Sequence, residues 1–89
     1  MQLISVNGQQ GQLNVSADPQ TRLSVPPIVF LHSDAGSIRH WTEIRAAFRD
    51  RTTVAFDRRG HGASDPPRNG KFDHEDALTD IAAVADALA

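Results

Sequence analysis

Cysteine is absent from the 89-residue chain, which excludes a disulfide framework, a thiolate nucleophile and thiolate metal ligands. No charge is in large excess either, because 9 basic residues face 11 acidic ones and the formal net charge is −2. This balance argues against nucleic acid as a partner. The sequence also lacks an export signal and any apolar run near the roughly 20 residues of a membrane span. We therefore expect a cytoplasmic protein without a membrane partner.

The length allows one small domain, so residues 1–89 are treated as a single unit. Its 39% hydrophobic content is that of an ordinary globular sequence. Alternating apolar positions in residues 2–6 and 12–17 predict an antiparallel hairpin that turns at Asn7-Gly8. The continuous apolar run 28–31 predicts a central parallel strand with both faces covered.

Two amphipathic helices are predicted around a second short strand at residues 52–56. Ser37 is the expected N-cap of the first and Asp73 that of the second. Their inner stripes are read as Ile38, Trp41, Ile44 and Phe48 in the first helix, and Leu78, Ile81, Ala85 and Leu88 in the second. The order strand, helix, strand predicts a right-handed parallel crossover, and so an α/β fold.

Each predicted parallel strand ends in an unusual loop. The first loop comprises residues 32–37, and the second comprises residues 57–65, which are rich in glycine and charge. Ligands of open parallel sheets bind beyond the carboxyl ends of the strands, so the two loops are expected to meet and share a site. Arg58 or Arg59 is then placed to reach the other loop.

Short motifs stand in the two loops and next to them. These include an apolar strand ending in His32-Ser33, then Gly36-Ser37, then Trp41. The next strand ends in the run Asp57, Arg58, Arg59, Gly60, His61, Gly62, Ala63, Ser64. On these motifs the chain resembles the N-terminal portion of the α/β-hydrolase fold family, whose members carry His-Gly, Gly-Ser, Trp and Asp-x-Arg-Gly-x-Gly-x-Ser at these places. Ser33, where glycine is usual, departs from the pattern and restricts the loop backbone.

The resemblance implies that the backbone N–H of Asp34 is the first oxyanion-hole donor, with a small molecule as substrate of the complete protein. It also implies a set of residues that shape the site: His32, Ser33, Gly36, Ser37, Trp41, Asp57, Arg59, Gly60, Gly62 and Ser64. Individually, Asp57, Arg59 and Ser64 are also explained as a hydrogen-bonded corner. His32 is interpreted as a loop anchor rather than a base, and Trp41 as core packing.

A nucleophile is not found in the sequence. The family's elbow has the form G-x-S-x-G, and Ser64 has only its first half, because Pro66 stands where the second glycine belongs. We therefore expect an incomplete three-layer sandwich, with the nucleophile, acid and catalytic histidine beyond Ala89. A strand edge left unpaired in this way is expected to promote self-association.

Other constellations are weaker. The cluster at residues 73–76 is interpreted as a solvated helix start rather than a metal site. Neither a dinucleotide fingerprint nor a phosphate loop is complete, so no cofactor is expected. The missing nucleophile leaves one alternative open, a non-catalytic binding module. A cofactor-free peroxidase or lyase is also open, because a fold does not fix the reaction.

Overall fold

The computed structural model describes residues 2–18, 26–33, 36–68 and 70–88. The elements follow in the order β1 (Gln2–Gly8), β2 (Gly11–Asp18), β3 (Ile28–Leu31), a 3₁₀ helix (Ile38–Trp41), α1 (Thr42–Ala46), β4 (Thr53–Phe56) and α2 (His74–Leu88). In the described part of the chain, neither α-helix has the length and apolar character needed to cross a membrane.

The four strands form one mixed sheet in the order β1-β2-β4-β3. β2 is antiparallel to β1 and β4, whereas β3 and β4 are parallel. The α/β class, the hairpin and the parallel crossover are therefore confirmed. The prediction that β3 is covered on both faces is wrong, since Val29 and Leu31 are each 42% exposed. β4 is the buried strand instead, because it lies between β2 and β3.

The hairpin turns two residues later than predicted. Asn7 pairs with Gln12, and Gly8 pairs with Gly11, so Asn7-Gly8 belongs to β1 rather than to the turn. A Cβ at Gly8 would lie 2.6 Å from Nη2 of Arg59. The glycine therefore allows a side chain from the second loop to approach the hairpin closely, which is a tertiary requirement and not a turn signal.

One face of the sheet carries the main core. Its buried members are Val6, Leu13, Val15, Ala17, Val54, Phe56 and Val84. Asp73 caps α2 as predicted, because its Oδ1 accepts the Asp76 N–H at 2.9 Å while Asp76 Oδ2 accepts the Asp73 N–H at 3.1 Å.

The predicted inner stripe of α2 is partly wrong. Ile81 and Leu88 do pack against the core, but Leu78 is 64% exposed and Ala85 is also exposed. Asp80 and Val84 are the buried positions of the helix. The reason is that Asp80 pairs with a buried arginine, and this sets the rotation of the helix about its axis.

The opposite face of the sheet is crossed by the side chain of Arg45. Its Nη1 donates to Ser16 Oγ at 2.9 Å and its Nε to Thr53 Oγ1 at 3.1 Å. Nη2 donates to the carbonyls of Ser16 and Thr53 at 3.1 and 3.0 Å. Burial lowers the pKa of Arg45, opposed by attraction to Asp18. Arg45 thus bridges β2 and β4 on the sheet face opposite the main core.

The single predicted first helix is therefore also revised. A 3₁₀ helix precedes a five-residue α1, and Ser37 caps the former by accepting the Arg39 N–H at 3.3 Å. Arg45 faces the sheet, while Ile44 is 46% exposed. Apolar periodicity predicted otherwise, because it does not register the buried Arg45 guanidinium. Four hydrogen bonds that this group donates to β2 and β4 fix the helix more firmly than one isoleucine does.

Candidate functional site

The carboxyl ends of β3 and β4 lie side by side, because the strands are parallel with Leu31 opposite Phe56. His32 and Asp57 follow these residues directly. The Arg58 N–H donates to His32 Nε2 at 2.9 Å, and the Ile38 N–H donates to Asp57 Oδ1 at 2.8 Å. The first and second loops are therefore in contact, as the sequence predicted.

Asp57 is the central acceptor of this corner and is only 4% exposed. Besides the Ile38 N–H, its carboxylate accepts the Asn14 side-chain amide and the Ala63 N–H, both at 3.0 Å and both at Oδ2. Burial tends to raise its pKa. The hydrogen bonds from Ala63, Asn14 and Ile38 outweigh that effect and hold the pKa below its usual value.

Two glycines in the second loop have backbone angles that favour glycine. Gly60 has φ of +78° and Gly62 of +50°. A Cβ at Gly62 would lie 2.3 Å from the Asp57 carboxylate, whereas the space next to Gly60 is ordinary. Gly62 is therefore required twice, by its backbone angle and by its closeness to the carboxylate.

Ser64 is buried, and its hydroxyl is fully engaged. Its Oγ accepts the Asn14 N–H at 2.8 Å and donates to the Asp57 backbone carbonyl. No imidazole is among these partners to remove the hydroxyl proton. The arrangement supports a structural role for Ser64 and agrees with its dismissal as a nucleophile.

The two arginines of the second loop act in different directions. Arg58 reaches the first loop, where its Nη1 donates to the His32 carbonyl at 3.3 Å. Arg59 turns to α2 and forms a buried bidentate pair with Asp80, from Nη2 to Oδ1 at 2.8 Å and from Nε to Oδ2 at 3.2 Å. It also donates to the Gly11 carbonyl at 3.3 Å. Arg59 therefore anchors the second loop to α2 and to the hairpin.

Sequence reasoning missed Asn14 and Asp80. Asn14 is a polar position of an alternating strand, where a solvated side chain was the simpler interpretation. An acid on a helix surrounded by apolar residues was a signal for Asp80, but only the position of Arg59 identifies its partner.

The remaining predicted residues lie on the first loop and after it. The Gly36 N–H donates to the Ser33 carbonyl at 3.0 Å, and a Cβ at Gly36 would lie 3.0 Å from Cβ of His32. Trp41 packs against Phe30 with ring centroids 5.1 Å apart and ring planes inclined by 35°. This contact supports the interpretation of Trp41 as a packing residue. Asp34, the predicted oxyanion donor, lies outside the described residues.

A cleft of about 410 Å³ opens beside the corner, and Ser37, Asp57 and Gly62 contribute to its lining. Both loops therefore border the same space. In residues 2–18, 26–33, 36–68 and 70–88, no group of three or more histidine or acidic side chains is arranged to hold a metal ion.

Comparison with known proteins identifies the fold family. The sequence profile of the alpha/beta hydrolase family matches residues 28–89, which is most of the chain. The chain therefore belongs to the alpha/beta hydrolase family. No curated protein matches it significantly.

Solved structures agree with this assignment. A protein of unknown function from Agrobacterium tumefaciens, considered an alpha/beta hydrolase, is 26% identical with a TM-score of 0.80, over 98% of this chain and 42% of that one. A serine hydrolase without a lid from Xanthomonas campestris is 28% identical, with a TM-score of 0.69, over 98% and 43%. The enol-lactonase of Burkholderia xenovorans, at 24% identity and a TM-score of 0.83, shares the fold over 96% and 33%. The chain thus spans less than half the length of these three proteins.

Replacing Asp57 by asparagine is expected to destabilise the protein by about 2 kcal/mol at neutral pH, because an amide leaves backbone donors unpaired. The pKa of Asp57 is lowered in the folded state, so its contribution is present above the unfolded value near 3.9 and is lost as pH falls through the folded value. Urea unfolding at pH 7 and at about pH 3 measures the difference, which should shrink in acid. Exposed Asp86→Asn is the control, and a difference independent of pH would contradict the assignment.

Breaking the Arg59–Asp80 pair should cost more than removing both charges together. Asp80→Asn is expected to lower the free energy of unfolding by about 3 kcal/mol, because it leaves a buried guanidinium without its counter-charge. The double variant Arg59→Met, Asp80→Leu should recover at least half of that loss. A double-mutant cycle by urea unfolding measures the coupling, and a double variant less stable than Asp80→Asn would refute it.

Proposed function

We propose that this chain is the N-terminal part of a hydrolase that cleaves an ester, amide or related bond of a small molecule through an enzyme-bound covalent intermediate. The observation that carries the proposal is the reciprocal hydrogen bonding of the two loops at the carboxyl ends of β3 and β4. That is the position at which open α/β sheets bind ligands. Membership in the alpha/beta hydrolase family supports the reaction class.

In this proposal the backbone N–H of Asp34 donates to the developing oxyanion. The Gly36 N–H donates to the Ser33 carbonyl, and this hydrogen bond between the residues before and after positions 34–35 supports the proposal. Arg58, whose guanidinium binds the His32 carbonyl, places positive charge beside the first loop. The corner formed by Asp57, the glycines and Ser64 holds that loop in place.

We propose that the nucleophile, its base and the acid that orients this base lie beyond Ala89. We also propose that the protein is cytoplasmic. Ser64 does not serve, because its hydroxyl proton is donated to the Asp57 backbone carbonyl and its Oγ accepts the Asn14 N–H within the corner. The alternative, a binding module without catalysis, is distinguished by the reading frame past residue 89. An elbow of the form G-x-S-x-G, or its Asp or Cys equivalent, supports the enzyme, whereas a stop codon there supports the binding module.

Proline at position 34 tests the oxyanion role, because proline has no backbone N–H. In the full polypeptide encoded by the gene, Asp34→Pro is expected to lower kcat on an activated ester by about 100- to 1000-fold. Asp34→Ala, which keeps the N–H, is the matched control and should lose far less. Circular dichroism checks that both variants fold. Equal kcat values for the two folded variants would argue against Asp34 as the donor.

We further propose that the 89-residue chain self-associates through β3, which is an edge strand of the sheet that the described residues form. Val29 and Leu31 are exposed there, beside a cavity of about 260 Å³ that Leu31, Phe72 and Ile81 help to line. An unpaired apolar edge recruits another strand, and a lysine on it discourages pairing.

Sedimentation velocity should find oligomers of the unmodified chain and a larger monomer fraction for Val29→Lys. Leu78→Lys replaces an apolar residue that is even more exposed than Val29 but lies away from the sheet edge, on α2, and should leave the distribution unchanged. A monomeric unmodified chain would sink the proposal.

A further inference from the structure

The two loops exchange hydrogen bonds in both directions. Asp57 of the second loop accepts from Ile38, directly after the first loop, and His32 of the first loop accepts from the Arg58 N–H. A carboxylate keeps its acceptor atoms at any pH near neutrality. An imidazole ordinarily changes its charge between about pH 5 and pH 8. Of these two hydrogen bonds, protonation can therefore break only the one that His32 accepts.

The partners of His32 determine its tautomer. Because a backbone N–H donates to Nε2, that nitrogen carries a lone pair and no proton. Nδ1 lies 2.6 Å from the Ser33 carbonyl, an acceptor only, so Nδ1 carries the proton and donates it. The ring is therefore neutral, and each of its nitrogen atoms binds a different loop.

The ring is tightly enclosed among the described residues. His32 is 2% exposed, and Gly36 lies so close that a Cβ there would approach three His32 atoms within 3.3 Å. A second proton on Nε2 would face the Arg58 N–H at a heavy-atom distance of 2.9 Å. Two donors at that separation repel each other, so the contact must open.

We infer that His32 is a positioning residue that helps hold the two loops together as a neutral imidazole, and that protonation at Nε2 breaks its hydrogen bond with the Arg58 N–H of the second loop. The tether itself stands without the proposed reaction, since it needs no substrate. Its consequence for catalysis rests on the proposed function, because the loop it holds contains the proposed oxyanion donor.

Neighbouring charges act on this proton in opposite senses. The Arg58 guanidinium binds the His32 carbonyl, and the His61 ring lies edge-on with its centroid 4.9 Å from that of His32. A cationic His32 would be repelled by Arg58 and by His61 when the latter is charged. The carboxylate of Asp57, which belongs to the second loop like Arg58 and His61, would attract a cationic His32. His61 must therefore be separated from His32 in any test.

Nuclear magnetic resonance of the ¹⁵N-labelled chain tests the tether. At pH 8 the His32 ring should show Nε2 unprotonated and Nδ1 protonated. The pH is then lowered until the ring signals report protonation of Nε2, and over that step the hydrogen-exchange protection factor of the Arg58 amide should fall at least about tenfold. A protonated Nε2 at pH 8, or a protection factor that does not change, would overturn the inference.

Variants assign the effect to one ring. His32→Gln places an amide oxygen, which does not titrate, near the position of Nε2, so it should keep Arg58 protected down to pH 5. His61→Gln and the exposed His74→Gln should retain the wild-type pH dependence. Loss of that dependence in His61→Gln instead would refute the role of His32. If His32→Gln does not fold, agreement between the ring titration and the Arg58 protection in the wild type decides alone.

These measurements need no turnover. Failure of the Asp34→Pro experiment would remove the proposed oxyanion role of Asp34 and leave the tether standing, while failure here would leave the proposed reaction untouched. The two proposals can therefore be judged separately.

Discussion

The Asp57 carboxylate is the interaction on which the rest of the site depends. It accepts hydrogen bonds from β2 through Asn14, from the 3₁₀ helix through Ile38 and from its own loop through Ala63. Burying a charged carboxylate is costly, and only several well-formed hydrogen bonds offset that cost. The same three bonds therefore stabilise the charge and fix three segments of the chain relative to one another.

The second loop is anchored on its other side by Arg59. Its pair with Asp80 sets the rotation of α2, and its contact with the Gly11 carbonyl ties the tip of the hairpin to the loop. Gly8 and Gly11 make room for it, because a Cβ at either position would approach the guanidinium within 3.3 Å. The site and the hairpin are therefore mechanically linked, although they are distant in sequence.

The sequence predicted those features that depend on local chemistry. The hairpin, the strand at Ile28–Leu31, the Asp73 cap and the meeting of the loops all follow from alternation, capping and strand direction. The predictions for the two helix faces failed because of charges whose partners lie far along the chain. Apolar periodicity placed Leu78 in the core and Arg45 outside it, but buried hydrogen bonds set both helices otherwise.

The corner contains a serine, an aspartate and histidines, the residue types of a hydrolytic triad, yet its wiring is that of a scaffold. Asp57 takes its donors from two backbone N–H groups and an amide rather than from an imidazole. His32 accepts at Nε2 from a backbone N–H, and Ser64 donates to a backbone carbonyl. The side chains of this corner therefore hold the backbone in place and are not connected to one another as a nucleophile, a base and an orienting acid. The chemical contribution of this corner is therefore the rigidity with which it presents the first loop.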